Sequence, residues 1–432
     1  MSKYYFNGID WIVQALNRQC RKTPSRNNGF VIALELEGAI SENELQKFME
    51  RADDAAKLLT GKTARQKFHL APYWKCSARK LSINVEFRKG SPDEDASLAA
   101  ADFANRPFRG KREHLSVRLV SRGKDSLLLF KFDHLLFDGG GAELFLAALN
   151  DAAQFREPDC FSPQLSDWRD KFESGRNVNR FLRYINAEGK RKFFTFHPEQ
   201  SAISTANRFR TLHIPAAQAK AFFAAGEEKL GPFMDTPFLL ALVFGALAEP
   251  ATGRGAQDND FILLPATIDL RSRREHRNRI FFNHWSLAPF NLPIAAASHP
   301  DLVMQAMREQ FIELVKSKFL TNLDKANLLM RIIPLPLFTK MSSKIFAGAS
   351  GSCSFAFLPE SGFKAKTFAG RKIRNLLHLP LIPPKPGIGI FINRYNEALN
   401  IVISFREEII SEAELENLLE TLRKAFEPVS GI

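Results

Sequence analysis

His134, Asp138 and Gly139 are the residues of this chain whose types and spacing could do chemistry. The stretch Phe130-Lys131-Phe132-Asp133-His134-Leu135-Leu136-Phe137-Asp138-Gly139-Gly140-Gly141 sets an imidazole at the end of an apolar run and an acid-glycine turn just beyond it. Imidazole is the side chain best suited to moving protons near neutral pH. The elements that position it follow from pattern. Leu127 to Phe132 is short, aromatic-rich and followed by turn residues, which predicts a buried strand. Side chains alternate along a strand, so Leu128, Phe130, Phe132 and His134 share one face while Lys131 and Asp133 take the other. After Gly141, Leu144, Ala148, Leu149 and Ala152 fall on a helical stripe, so Asp138 to Gly141 form a strand-to-helix turn whose glycines admit close approach of a ligand. A bland reading competes: Asp-Gly is a common hairpin turn, and a lone histidine ending a strand is more often a hydrogen-bonded core residue. The helix that follows argues against the hairpin, and spacing alone leaves both readings open.

The chain has 432 residues, more than one hydrophobic core usually serves, so two lobes are expected, with about 75% of the unfolded surface buried. Phe at 39 against Tyr at 5 is unusual; most of these rings serve as core, since Phe fills volume without needing a hydrogen-bond partner. Met1 to Asp10 lacks the apolar segment of a signal peptide, and the longest apolar stretch, Phe238 to Ala248, is far short of the ~20 residues that span a bilayer. It reads as a buried helix with Thr236 as N-cap and Pro237 in its first turn. Cys20, Cys76, Cys160 and Cys353 are scattered, with no spacing for disulfides or zinc, so free thiols and a cytoplasmic setting are expected. Gly348-Ala349-Ser350-Gly351-Ser352 lacks the last glycine of a nucleophile elbow, and no phosphate loop or His-Glu-x-x-His occurs; no metal or permanently bound cofactor is indicated.

Organisation along the chain predicts an N-terminal lobe over 1–195 and a C-terminal lobe over 208–432, with His197 to Asn207 as the most linker-like piece. The first carries strands at Gly29–Leu36, Leu81–Phe87 and within Leu115–Phe132, and a helix from Ser41. The second carries a strand at Phe209–His213, helices near Ala216–Lys229 and Thr236–Glu249, a strand at Phe261–Ile268 and a helix after His299.

His134-x-x-x-Asp138-Gly139 resembles the His-x-x-x-Asp-Gly signature of the superfamily that includes chloramphenicol acetyltransferase, the condensation domains of non-ribosomal peptide synthesis, and bacterial wax-ester and diacylglycerol acyltransferases. Asn105-Arg106-Pro107-Phe108 with the strand after it is similar to the segment preceding that signature. Ile268-Asp269-Leu270-Arg271-Ser272-Arg273 resembles the second-lobe Asn/Asp-Leu-Arg-x-Arg element. Ile388 to Phe405 followed by a helix from Glu412 resembles the closing strand-turn-strand-helix, so the resemblance covers most of the chain. Two departures stand out. Asp133 occupies the place where many relatives carry a first histidine, and Phe282 stands where a glycine usually precedes Asn283.

The resemblance implies a mixed α/β fold of two chloramphenicol-acetyltransferase-like lobes, each a mixed sheet flanked by helices, with the active-site channel between them. It implies an acyltransferase that moves an acyl group from a thioester, acyl-coenzyme A or acyl-carrier protein with its phosphopantetheine arm, to a small-molecule alcohol or amine. His134 would be the general base, Asp138 the partner of Arg271 in a structural ion pair, and the Gly139 backbone, Ser354 or Asn283 the oxyanion or substrate contacts. Asp138 could instead cap the helix after it, and the two roles are compatible. A stand-alone condensation enzyme with a carrier-bound donor and a catalytically silent protein-binding platform are the alternatives. The net charge of +13 and Arg271, Arg273, Arg274, Arg277 and Arg279 raise nucleic acid as a partner, but no recognition motif accompanies them. Attraction of coenzyme A phosphates or an acidic carrier is the favoured account, with peripheral contact to an anionic membrane beside it.

Overall fold

The computed structural model describes residues 3–65, 71–76, 83–152, 167–187, 190–197, 205–271, 278–342 and 351–427. Two six-stranded sheets form the framework. The first runs in the order Thr367–Phe368, Arg371–Pro380, Gly29–Glu37, Asp125–Asp133, Leu115–Arg122, Asn84–Lys89. The second runs Trp285–Pro293, Phe261–Asp269, Ser354–Leu358, Ile388–Tyr395, Ala398–Arg406, Asn207–Ile214. Both mix parallel and antiparallel pairs: Asn84–Lys89 is parallel to Leu115–Arg122, and Ser354–Leu358 is parallel to both its neighbours. A small third sheet joins Lys3–Tyr5, Tyr73–Lys75 and Lys62–Ala64.

The period-two expectation holds on the central strand Asp125–Asp133. Leu128, Phe130 and Phe132 enter one core with Phe145, Leu146 and Leu149 of the helix Gly139–Asn150, whereas Leu127 and Leu129 enter another with alanines of the helix Ala96–Asn105. That second cluster also takes Phe209 and Val402 from the other sheet, so apolar burial fastens one lobe to the other. Lys131 and Asp133 do lie on the opposite face from Phe130 and Phe132, yet both are buried. Lys131 donates to the Arg106 carbonyl and lies 4.6 Å from the Phe108 ring centroid, and desolvation lowers its pKa to about 8. Asn105, in the same segment, exchanges hydrogen bonds with the Asn207 backbone at 2.8 and 2.9 Å and so ties the two lobes.

Lobe membership is not contiguous in sequence. The strands Thr367–Phe368 and Arg371–Pro380 leave the second half of the chain and join the first sheet, where Arg371–Pro380 pairs antiparallel with Gly29–Glu37. The physical reason is that Gly29–Glu37, almost wholly buried, would otherwise present an open edge of unpaired amides. A single break between residues 195 and 208 therefore does not divide the lobes.

Helix starts follow their caps where the cap is local. Asn7 with Asp10, Ser41 with Glu44 and Ser411 with Glu414 form reciprocal capping boxes. The apolar helix of the second lobe departs from expectation: it spans Asp235–Gly253, through Pro250, with Met234 rather than Thr236 at its cap position. Phe244 and Leu247 of this helix are fully buried, and it packs in the second lobe's core, although its length and composition alone would suit a membrane span. Cys20, Cys76 and Cys353 are buried and form no disulfide among the described residues. Cys160, Leu81, Arg273, Arg274, Arg277, the start of the Gly348–Ser352 segment and most of the expected linker lie outside the described residues.

Candidate active site

His134 stands one residue beyond the strand Asp125–Asp133, in the turn that leads to the helix Gly139–Asn150. Its amide donates to the Asn28 carbonyl at 3.3 Å, and its ring meets Phe30 edge-on at 5.4 Å and Trp285 at 6.4 Å. Desolvation among these rings lowers its pKa, against the pull of the Asp138 charge, so the imidazole is neutral at physiological pH. Nδ1 is buried without a hydrogen-bond partner among the described residues. A neutral imidazole in a dry wall can accept a proton from a ligand.

Asp138 both caps the helix and pairs with arginine. Its Oδ1 accepts from the Gly141 amide at 2.8 Å and lies 2.7 Å from Arg271 Nη2; its Oδ2 accepts from Arg271 Nη1 at 2.9 Å and from the His284 amide at 2.7 Å. Burial alone would raise its pKa, but the Arg271 guanidinium holds the carboxyl below the usual range. Arg271 is itself consumed, since Nε and Nη2 also reach the Arg279 carbonyl at 3.1 Å. It is 8% exposed and so is no part of a surface cationic patch.

The glycines differ in what they permit. A methyl at Gly139 would meet only ordinary contacts at 3.4 Å, from His378 and Leu358, whereas one at Gly141 would stand 2.2 Å from the Ile280 carbonyl. Close approach across the lobe junction therefore requires glycine at 141 rather than 139.

Asn283 holds the histidine loop from the other side. Its Nδ2 donates to the His134 carbonyl at 3.0 Å and to Asp10 Oδ1 at 3.0 Å, and its Oδ1 accepts from Trp285 Nε1 at 3.1 Å. Its backbone N–H donates to Asp10 Oδ1 at 3.1 Å and its carbonyl accepts from Asn7 Nδ2 at 2.6 Å. With both amide hydrogens spent, Asn283 has none to offer an oxyanion, and its role here is to position the loop. Asp10, fully buried, is raised to about 7 by desolvation, which outweighs its hydrogen bonds from Asn283 and Asn7.

Ser354 belongs to the second sheet. It opens the strand Ser354–Leu358, and it is Leu358 at the far end that reaches Gly139. Four strand steps, roughly 13 Å, separate the two ends.

Both departures from the resembling pattern have physical accounts. Asp133 Oδ2 lies 2.7 Å from His114 Nδ1, whose Nε2 lies 3.1 Å from the Gly61 carbonyl, and Asp133 Oδ1 accepts from the Leu135 amide at 3.0 Å. It is a structural residue under the turn. Phe282 adopts φ +70°, the left-handed region that favours glycine. Its amide donates to the Leu136 carbonyl at 2.7 Å, and its buried ring lies 6.4 Å from Tyr4 and 6.5 Å from Trp74, contacts that offset the strain.

The contributions of Asn7 and Asp10 to this site were not legible in the sequence. Their three-residue spacing signals a helix start, but nothing in it points to position 283.

Two lobes of mixed sheet joined by a crossing strand, with the histidine turn against the second lobe, define the chloramphenicol-acetyltransferase-like, condensation-domain fold. Three solved structures set the comparison. TRI3 trichothecene 15-O-acetyltransferase from Fusarium sporotrichioides has a TM-score of 0.70 at 13% identity, over 98% of this chain and 94% of that one. The first condensation domain of the CDA synthetase has a TM-score of 0.68 at 13% identity, over 99% and 96%. The starter condensation domain of rhizomide synthetase, solved as a mutant with C8-CoA and Leu-SNAC, has a TM-score of 0.63 at 12% identity, over 98% and 94%. An epimerization domain of tyrocidine synthetase and the X-domain from teicoplanin biosynthesis share the fold too, so the fold does not settle the reaction. No protein-family model matches the sequence. No curated protein matches it at a significant level.

Proposed function

We propose that this protein transfers an acyl group from a thioester donor, acyl-coenzyme A or an acyl-carrier protein, to a hydroxyl or amine of a small acceptor. The observation that carries the reading is the neutral, aromatic-walled imidazole of His134 on a turn fastened from both sides, by Asp138 and Arg271 and by Asn283. His134 takes the proton from the acceptor as it attacks the thioester carbonyl and returns it to the departing thiolate. The Gly139 amide, in the first turn of its helix, is the proposed donor to the tetrahedral oxyanion. Asp138 is no base here, because all its acceptor capacity is taken by the arginine and two amides. No acyl-enzyme is needed, and the thioester arrives as substrate rather than resident cofactor. Free buried thiols and thioester chemistry go with a cytoplasmic setting.

The test is thiol release from a panel of acyl-coenzyme A donors with pooled alcohols and amines, comparing the natural chain with His134→Ala. Acceptor-dependent release that falls by ~10²–10⁴-fold in the variant is expected. Release only from carrier-bound donors would make it a stand-alone condensation enzyme. No release from any donor, with thioester binding retained, would leave a protein-binding platform in place of the transferase.

A further inference from the structure

His378 lies on the crossing strand, in register with Ile32 and through it with Phe130, on the face that the helix Gly139–Asn150 covers. Its Nε2 is 2.6 Å from Oε1 of Glu143, one helical turn beyond the signature, and the two side chains are 6% and 1% exposed. The second oxygen of Glu143 accepts from Ser361 Oγ at 2.9 Å and from the Gly362 amide at 2.6 Å. A carboxylate held at both oxygens orients the imidazole and keeps its proton on Nε2. The lone pair of Nδ1 is then left over. Nδ1 stands 3.4 Å from where a Gly139 side chain would begin, and no described residue donates to it.

We propose that His378, held by Glu143, is a substrate-binding histidine: its Nδ1 accepts a hydrogen bond from the hydroxyl or amine of the acceptor, and this contact selects the acceptor. The inference rests on the transferase reading for the identity of that ligand. Two further observations favour it over a mere tie between strand and helix. A buried ionisable pair is a weak source of stability, which an apolar pair would supply as well in so phenylalanine-rich a core. A tie also has no use for an unpaired nitrogen, and Nδ1 faces Gly139 at the helix start, beside the turn that carries His134. The two histidines then divide the work. His134 carries no carboxylate and a depressed proton affinity, and His378 carries a carboxylate and a fixed tautomer.

The experiment uses the full chain with 13C at Cε1 of its nine histidines. The resonance missing from the spectrum of His378→Gln is expected to move when 1-octanol or 1-octylamine is added. With octanoyl-coenzyme A as donor, His378→Gln, which keeps a donor toward Glu143 but removes Nδ1, should raise the acceptor KM about tenfold and leave the donor KM unchanged. A resonance that stays fixed at the solubility limit of both acceptors overturns the proposal, whatever the transfer assay reads, and so does an unchanged acceptor KM in the folded variant. If the wild-type chain binds these acceptors at His378 yet transfers nothing, the transferase reading fails and the binding site stands.

Discussion

Two clamps hold the His134 turn, and they are built from opposite chemistry. On the helix side, Asp138 and Arg271 are an oppositely charged, doubly hydrogen-bonded pair, with Asp269 3.5 Å from the same guanidinium. On the strand side, Asn283 spends an uncharged amide between the His134 carbonyl and a buried Asp10 that titrates near neutrality. The difference teaches that the same loop is fixed once by charge, insensitive to physiological pH, and once by a network that senses it. His134 is kept neutral by desolvation, and the Arg271 guanidinium offsets the carboxylate charge of Asp138 beside it.

The largest effect should come from breaking the charged clamp. Arg271→Ala leaves Asp138 buried and unpaired and should lower the unfolding free energy by about 3–5 kcal/mol, read by urea denaturation. Gly141→Ala comes next. Its methyl would meet the backbone carbonyl of Ile280, so a loss of about 1–3 kcal/mol is expected, while Gly139→Ala should stay within about 1 kcal/mol of the natural chain. Equal melting points for the two glycine variants would contradict the close approach at 141. Asn283→Ala breaks the neutral clamp and should cost about 1–3 kcal/mol, less than Arg271→Ala, with a lowered kcat because the His134 carbonyl loses its tether. If Asn283→Ala destabilises as much as Arg271→Ala, the contrast between the clamps is wrong.

The last effect is a pH slope. The folded pKa of Asp10 is raised to about 7 from 3.8, so the folded chain keeps a proton that the unfolded chain releases. Its contribution is complete below 3.8, shrinks as pH rises, and is lost above about 7. Asp138, whose folded pKa is lowered, contributes fully above the ordinary carboxylate range and loses its contribution only in acid. Thermal unfolding between pH 5 and 8 should therefore show the natural chain losing stability that Asp10→Asn does not lose. Parallel curves would show that Asp10 does not titrate in this window.

Much of the fold was legible because it is local. The alternation through Phe130 and Phe132, the turn at Asp138 and the helix starts near Ser41 and Glu412 each depend on a few neighbouring residues. The double role of Asp138 was legible as two readings able to hold together, and the geometry satisfies both. The tethering role of Asn283 was missed for the same reason that Asp10 and His378 were missed. What a polar side chain does is decided by the donors and acceptors that folding brings to it, and those lie outside any local window.

The sequence by itself determined where helices with local caps begin, that a histidine would stand at a strand-to-helix turn, and that the core would be rich in phenylalanine. Tertiary structure alone decided that residues 371–380 would cover the open edge of the first sheet, that Phe282 would take a glycine's backbone angle because its ring is buried, and that Glu143 would meet His378. Local preferences are set by rotamers and hydrogen bonds within a few residues. Pairings across hundreds of residues depend on sheet register and on which buried polar groups remain to be satisfied.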